Sequence, residues 1–153
     1  MNLKEYISHV RDRKYMSGVE RDKLRIKFSN EVFTPTELVL IILDQLEMED
    51  PSIFSDPEKQ WLDNFCGDGQ FLSEVIIRKI ERSGCSLKKA LETTFGTDIM
   101  EDNIIECRYR LAGPNPSKDI LEIVNKNIVC TDSFEWDYNN WCPFNNHKAK
   151  PLF

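Results

Sequence analysis

The sequence predicts an α/β fold: a parallel sheet with helices in three layers and right-handed crossovers. Three observations carry this. Short apolar runs alternate with segments of helical periodicity. Three of those runs end in an acid, at Asp63, Asp98 and Asp132. The first runs straight into a glycine turn and then a long amphipathic stretch, the order strand, turn, helix.

The elements follow in chain order. Leu3, Tyr6, Ile7 and Val10 recur at helical spacing, so residues 3–15 predict an amphipathic helix broken at Ser17-Gly18. A second helix opens at Thr34-Pro35-Thr36-Glu37, where Thr34 can cap, Pro35 suits the first position and Glu37 completes a capping box. Its expected inner face is Leu38, Ile41, Ile42 and Leu46, with an end near Met48. Asp50-Pro51 and Asp56-Pro57 bracket a loop. Gln60 to Asp63 reads as the first strand, and Phe71, Leu72, Val75, Ile76 and Ile80 as the stripe of the helix after it, ending at Ser83-Gly84. Leu87 to Leu91 suggests a short helix, Thr94 to Ile99 a second strand, and residues 101–111 another helix. Gly113 to Pro116 is a loop, and Asn127 to Cys130 a third strand.

Composition narrows the class. The chain has 153 residues, 41% hydrophobic and 30% charged, enough for one domain with a core. No apolar run approaches the ~18 residues of a membrane span. The Met1 to Tyr6 start has no apolar signal region. Five cysteines without a CxxC pair, and two histidines, argue against a disulfide framework and a zinc site, so a reducing cytoplasm is the expected setting. The net charge of −6 is uneven: residues 1–30 carry eight Lys/Arg against four Asp/Glu, and the rest twelve against twenty-two. The basic arm can contact nucleic-acid phosphates or be a solvated helix face; the acidic body is a poor platform for duplex DNA.

The three strand ends hold the chemistry. In open α/β sheets ligands bind beyond the carboxyl ends of the strands, at the point where strand order reverses. Gly67 and Gly69 let the backbone approach a ligand, and the helix starting near Gln70 offers N–H groups to an anionic end. Asp98 can accept two hydrogen bonds from a ribose diol. Asp132 can accept from an exocyclic amine, with Phe134 as an apolar wall for a purine. Alternatively the glycines make an ordinary turn, and Asp98 and Asp132 are helix caps.

Asp63-Asn64-Phe65-Cys66-Gly67-Asp68-Gly69-Gln70-Phe71-Leu72 resembles the Asp-Pro-x-Cys-Gly-x-Gly-x-Phe-Leu motif of S-adenosylmethionine (SAM)-dependent adenine-N6 DNA methyltransferases. Phe33-Thr34-Pro35, Gly96-Thr97-Asp98-Ile99 and Asn127 to Ser133 resemble three further motifs in family order. The resemblance implies a Rossmann-like sheet of the class I methyltransferase type, truncated, with N-terminal helices. It divides the chain into a basic helical arm (1–30), a SAM-binding domain (31–134) and an aromatic-rich segment (135–153). It implies SAM as cofactor, with Phe33 and Thr34 near the methionine end and Asp63 at its amino group. Cys66, Gly67 and Gly69 would form the turn beneath. Asp98 would hold the ribose, Ile99 would pack on the adenine, and Asp132 and Phe134 would meet its amine and ring. Asn64 departs from the family's proline.

The larger departure is that the family's Asn/Asp-Pro-Pro-aromatic motif, which holds the flipped target base, is missing from these 153 residues. Asn140-Trp141-Cys142-Pro143-Phe144 keeps one proline and an aromatic. Catalytic residues are therefore unassigned. In that fold the first strand is interior, so its exposed edge predicts a cover. Candidates are the alternating Phe134, Trp136 and Tyr138, a second copy of the chain, or a partner subunit. DNA would be reached through a partner or the basic arm.

Overall fold

Three short strands form one parallel sheet in the order β1–β2–β3: β1 is Trp61–Asp63, β2 Thr94–Asp98 and β3 Ile128–Cys130. Asp63 lies opposite Gly96 and Asp98 opposite Cys130, so the chain leaves all three strands at the same end of the sheet. The computed structural model describes residues 2–12 and 34–144. No helix among them is long and apolar enough to cross a membrane.

Helix α1 (Leu3–Arg11) starts where the Asn2 side chain accepts from the Glu5 N–H at 2.9 Å, and it turns Tyr6 and Val10 inward. The helix ends at Arg11 with Asp12 as its C-cap, while residues 13–15 of the expected helix, Ser17-Gly18, Phe33 and the 30/31 boundary lie outside the described residues. Helix α2 (Thr36–Glu49) departs from expectation twice. Pro35 is extended (ψ 144°) and occupies the cap position, so the helix starts after it and no side chain caps the first turn. The buried face is Val39 and Leu43, packed with Phe54 and Val75, while Leu38 and Ile41 are exposed. Leu38 to Leu43 is apolar at every position, so periodicity cannot choose its face; packing against the next helix does.

That next helix, α3 (Gln70–Ser83), is buried at every position from Leu72 to Lys79. Arg78 ties it to α2 by donating to the Leu40 carbonyl (3.1 Å) and to Asp44 (2.6 Å). Arg11 makes a two-pronged contact with buried Glu74 and so docks α1. Helices α4 (Leu87–Glu92) and α5 (Glu101–Ala112) lie where the sequence places them. Helix α6 (Lys118–Asn127) was not expected. Ser117 caps it by accepting from the Ile120 N–H, and Ile120 and Val124 face the core.

Strand alternation puts Trp61, Gly96, Asp98 and Ile128 on one face, and Leu62, Phe95, Thr97 and Val129 on the other. Both apolar clusters reach the sheet on the first face, through Trp61 and Ile128. The expected three layers are therefore two over the described residues. A sheet that adds each strand on the same side, with crossovers of one hand, lays its helices on one face. A second helical layer needs strand order to reverse, and β1–β2–β3 contains no reversal.

The second face meets a small aromatic ribbon instead. After a 3₁₀ turn (Ser133–Glu135), β4 (Trp136–Asp137) and β5 (Cys142–Pro143) pair antiparallel. Trp141 sets its ring edge against Phe95 at 4.9 Å, and its indole N–H donates to the Lys126 carbonyl at 2.8 Å. A cavity of about 240 Å³ remains between Leu62 and Phe95 of the sheet and Tyr138, Asn139 and Trp141. The expected cover strand along β1 does not form. Asp132 turns the chain at Phe134, and the Asp137 carboxylate accepts from the Asn139 and Asn140 N–H groups, reversing it after two residues. Among the described residues β1 pairs with β2 alone.

Candidate functional site

The turn after β1 is stitched to the end of β2. Asp63 Oδ1 accepts from the Phe65 N–H (3.1 Å), which starts the turn. The Cys66 N–H then donates to the Thr97 carbonyl (2.9 Å), and the Gly67 N–H to Asp98 Oδ2 (3.0 Å). Gly69 closes it at φ 83°, and a Cβ there would sit 2.7 Å from Cys107 Sγ on α5. Backbone conformation and packing against α5 are thus enough to require a glycine at position 69. Gly69, as the N-cap residue, has no side chain to offer the first turn of α3.

Asp98 is nearly saturated from within. Besides Gly67 it accepts from the Met100 N–H (2.8 Å) and from Asn103 Nδ2 (3.2 Å). A carboxylate has about four acceptor positions, so among the described residues one remains. Asp132 Oδ1 accepts from the Phe134 N–H at 2.9 Å and caps the 3₁₀ turn. The second oxygens of Asp63 and Asp132 have no protein partner among the described residues. Burial, joined by the Asp98 charge, pushes the Asp63 carboxyl above its usual range, against the Phe65 N–H.

Hydroxyls bind the third strand end to the first two. Thr97 donates to the Asn64 carbonyl at 3.1 Å, and the buried Ser133 hydroxyl meets the same carbonyl and Thr97 Oγ1. Asn64 thus contributes its carbonyl, which a proline would offer equally. Outside this junction three large apolar side chains face solvent: Phe65 at 62% exposure, Ile99 at 66% and Phe134 at 83%. The Phe65 and Phe134 rings are 6.2 Å apart.

The structure brings Asp63, Cys66, Gly67, Gly69 and Asp98 together around one turn and joins Asp132 and Phe134 to it through Ser133. Ile99 follows Asp98 at the rim. Cys66 is a packing residue: a hydrogen bond with Cys107, burial and the Asp63 and Asp98 charges all keep its thiol protonated. Thr34 is described without a hydrogen bond to the turn. In that segment the Thr36 hydroxyl makes the contact, accepting from Gln70 Nε2. Sequence reasoning missed Asn103, Ser133 and Thr36, whose only signal was their closeness to motif residues. The degenerate segment Asn140 to Phe144 is remote from this turn: its Trp141 reaches Lys126, beside the start of β3 rather than its end.

A 50-residue stretch, 33% of this chain, is 38% identical to part of a Mycoplasma pneumoniae protein described as an uncharacterized adenine-specific methylase. The stretch spans 12% of that relative's length. This likeness supports a relationship to methylases. No family model and no solved structure matches the chain.

Proposed function

We propose that this chain binds SAM across the carboxyl ends of its three parallel strands, in the manner of class I adenine-N6 DNA methyltransferases. The observation that carries the reading is the junction at Asn64, Thr97 and Ser133, which draws together the carboxyl ends of the three strands, with Asp63, Asp98 and Asp132 at or just beyond them, beside the exposed Phe65, Ile99 and Phe134. The residues present fit the cofactor. The second oxygens of Asp63 and Asp132, without a partner among the described residues, suit its ammonium and its adenine amine, the N-terminus of α3 suits its carboxylate, and Ile99 and Phe134 suit the ring. Asp98 fits in part, with room for one ribose hydroxyl rather than two. When bound, SAM supplies an electrophilic methyl on a sulfonium; the chain's residues bind and orient it.

Methyl transfer to DNA adenine also needs a group that holds the target base. A second reading, a SAM-binding module or one subunit of a split enzyme, is favoured by the position of Asn140 to Phe144. This is the nearest stretch to a base-holding motif, and it is committed to the Phe95 side of the sheet. Calorimetric titration with SAM, followed by tritiated methyl incorporation into mixed-sequence DNA, separates the readings. Uptake with incorporation means an enzyme, uptake without it means the module, and no uptake removes both.

The unpaired edge of β1 belongs to the same proposal. Its N–H and C=O groups suit a second copy or a partner subunit, and DNA contact would come through that partner or the basic arm. A light-scattering mass above that of the monomer is expected; a monomer at high concentration counts against it.

A further inference from the structure

The glycine turn is gripped from a second direction. Asp68, between the two glycines, is 1% exposed and faces Arg110 near the end of α5, itself 2% exposed. Arg110 Nη2 donates to Asp68 Oδ2 at 3.0 Å; Nη1 reaches Asp68 Oδ1 at 3.4 Å and Gln70 Oε1 at 2.6 Å. Gln70 passes the contact on, donating through Nε2 to the Thr36 hydroxyl in the first turn of α2. One guanidinium therefore connects α5, the turn and the start of α2, two residues beyond Thr34.

Stability alone gives little reason for such a group. A buried ion pair is often no better than apolar residues of the same volume. Among the described residues Arg110 also leaves its Nε without a partner, a further cost. What apolar side chains cannot supply is direction. The planar fork fixes the Asp68 carboxylate and the Gln70 amide at once, a geometry lysine cannot reproduce. At the other end of α5, Asn103 supports Asp98, which holds Gly67. The turn is thus clamped from both ends of one helix.

We propose that Arg110 is a positioning residue. It acts through Asp68 and Gln70 to hold the Gly67–Gly69 turn, and the Thr34–Thr36 segment beside it, in the arrangement that binds the cofactor. The proposal rests on the SAM reading, and its test keeps the two apart. Asp68→Leu with Arg110→Met removes both charges of the pair together; Arg110→Lys keeps the charge and removes the fork. Amide hydrogen exchange of the peptide over residues 64–71, measured without ligand, reads the clamp directly. The expected result in both variants is a melting temperature close to that of the unaltered chain, exchange over this peptide at least tenfold faster, and SAM affinity at least tenfold weaker. Unchanged exchange overturns the proposal, as does faster exchange with undiminished affinity. If the double variant fails to fold, Arg110→Lys decides; failure of both makes Arg110 merely structural and overturns the proposal too. An unaltered chain that takes up no SAM removes the SAM reading and leaves the exchange result standing.

Discussion

The turns after β1 and β3 each carry an acid, Asp63 at the end of β1 and Asp132 two residues beyond β3, but they are built differently. The first is fastened at Cys66, Gly67 and Asp68 to Thr97, Asp98 and Arg110, and it is buried at Cys66, Asp68 and Gly69. The second rests on the Asp132 cap and the Ser133 hydroxyl, and its Phe134 ring is mostly in solvent. The β1 turn is set before any ligand arrives, so binding there spends little on ordering. The β3 turn has contacts still to gain. The stability of the domain should therefore depend on the first turn, and the discrimination of a bound ring on the second.

The largest expected effect is on the clamped side. Gly69→Ala forces an L-residue to positive φ and pushes a methyl to within 2.7 Å of Cys107 Sγ. A loss of about 2–4 kcal/mol in urea unfolding is expected. Adding Cys107→Ala should recover part of it. Strict additivity of the two losses would mean that the clash is not the cause.

The matching change on the open side is Phe134→Ala. Stability should stay within about 0.5 kcal/mol, as at most exposed positions. SAM affinity should fall roughly tenfold, or about 1.4 kcal/mol. An unchanged titration would take Phe134 out of the site.

Asp63→Asn gives the smallest expected effect and tests the join between the turns. Burial and the neighbouring Asp98 raise the folded-state pKa of Asp63. Its favourable contribution is therefore present in full below the unfolded carboxyl value, and it is lost as pH rises through the folded one. At pH 7 the ionised group is a burden that asparagine removes while keeping the acceptor for the Phe65 N–H. The melting temperature should rise slightly at pH 7, the gain should shrink towards pH 4, and SAM should bind more weakly. A variant less stable at pH 7 would show that the repulsion is not felt.

Much of the frame was legible in the sequence because punctuation was local. Glycines, prolines and acids closed β1, α3, β2 and β3 within a residue or so of their observed ends. What escaped was decided by tertiary contact. The uniformly apolar Leu38 to Leu43 run carries no facing signal. Ser117, Ile120 and Val124 spelled out α6 but followed a proline-rich loop read without its continuation. Arg110, Glu74 and Lys79 are charges that composition assigns to the surface, and partners far along the chain bring them inside. The acids at the three strand ends were visible; that Asp98 already serves three donors of its own chain could not be, since Gly67 and Asn103 meet it only in the fold.

Amide hydrogen exchange across the whole chain, with and without saturating SAM, tests the central claim most directly. The account predicts slowed exchange in three places, residues 63–70, residues 98–100 and residues 131–135, with the ribbon at 136–144 unaffected. Protection confined to the ribbon and the Phe95 cavity, or none anywhere at saturating cofactor, would contradict it.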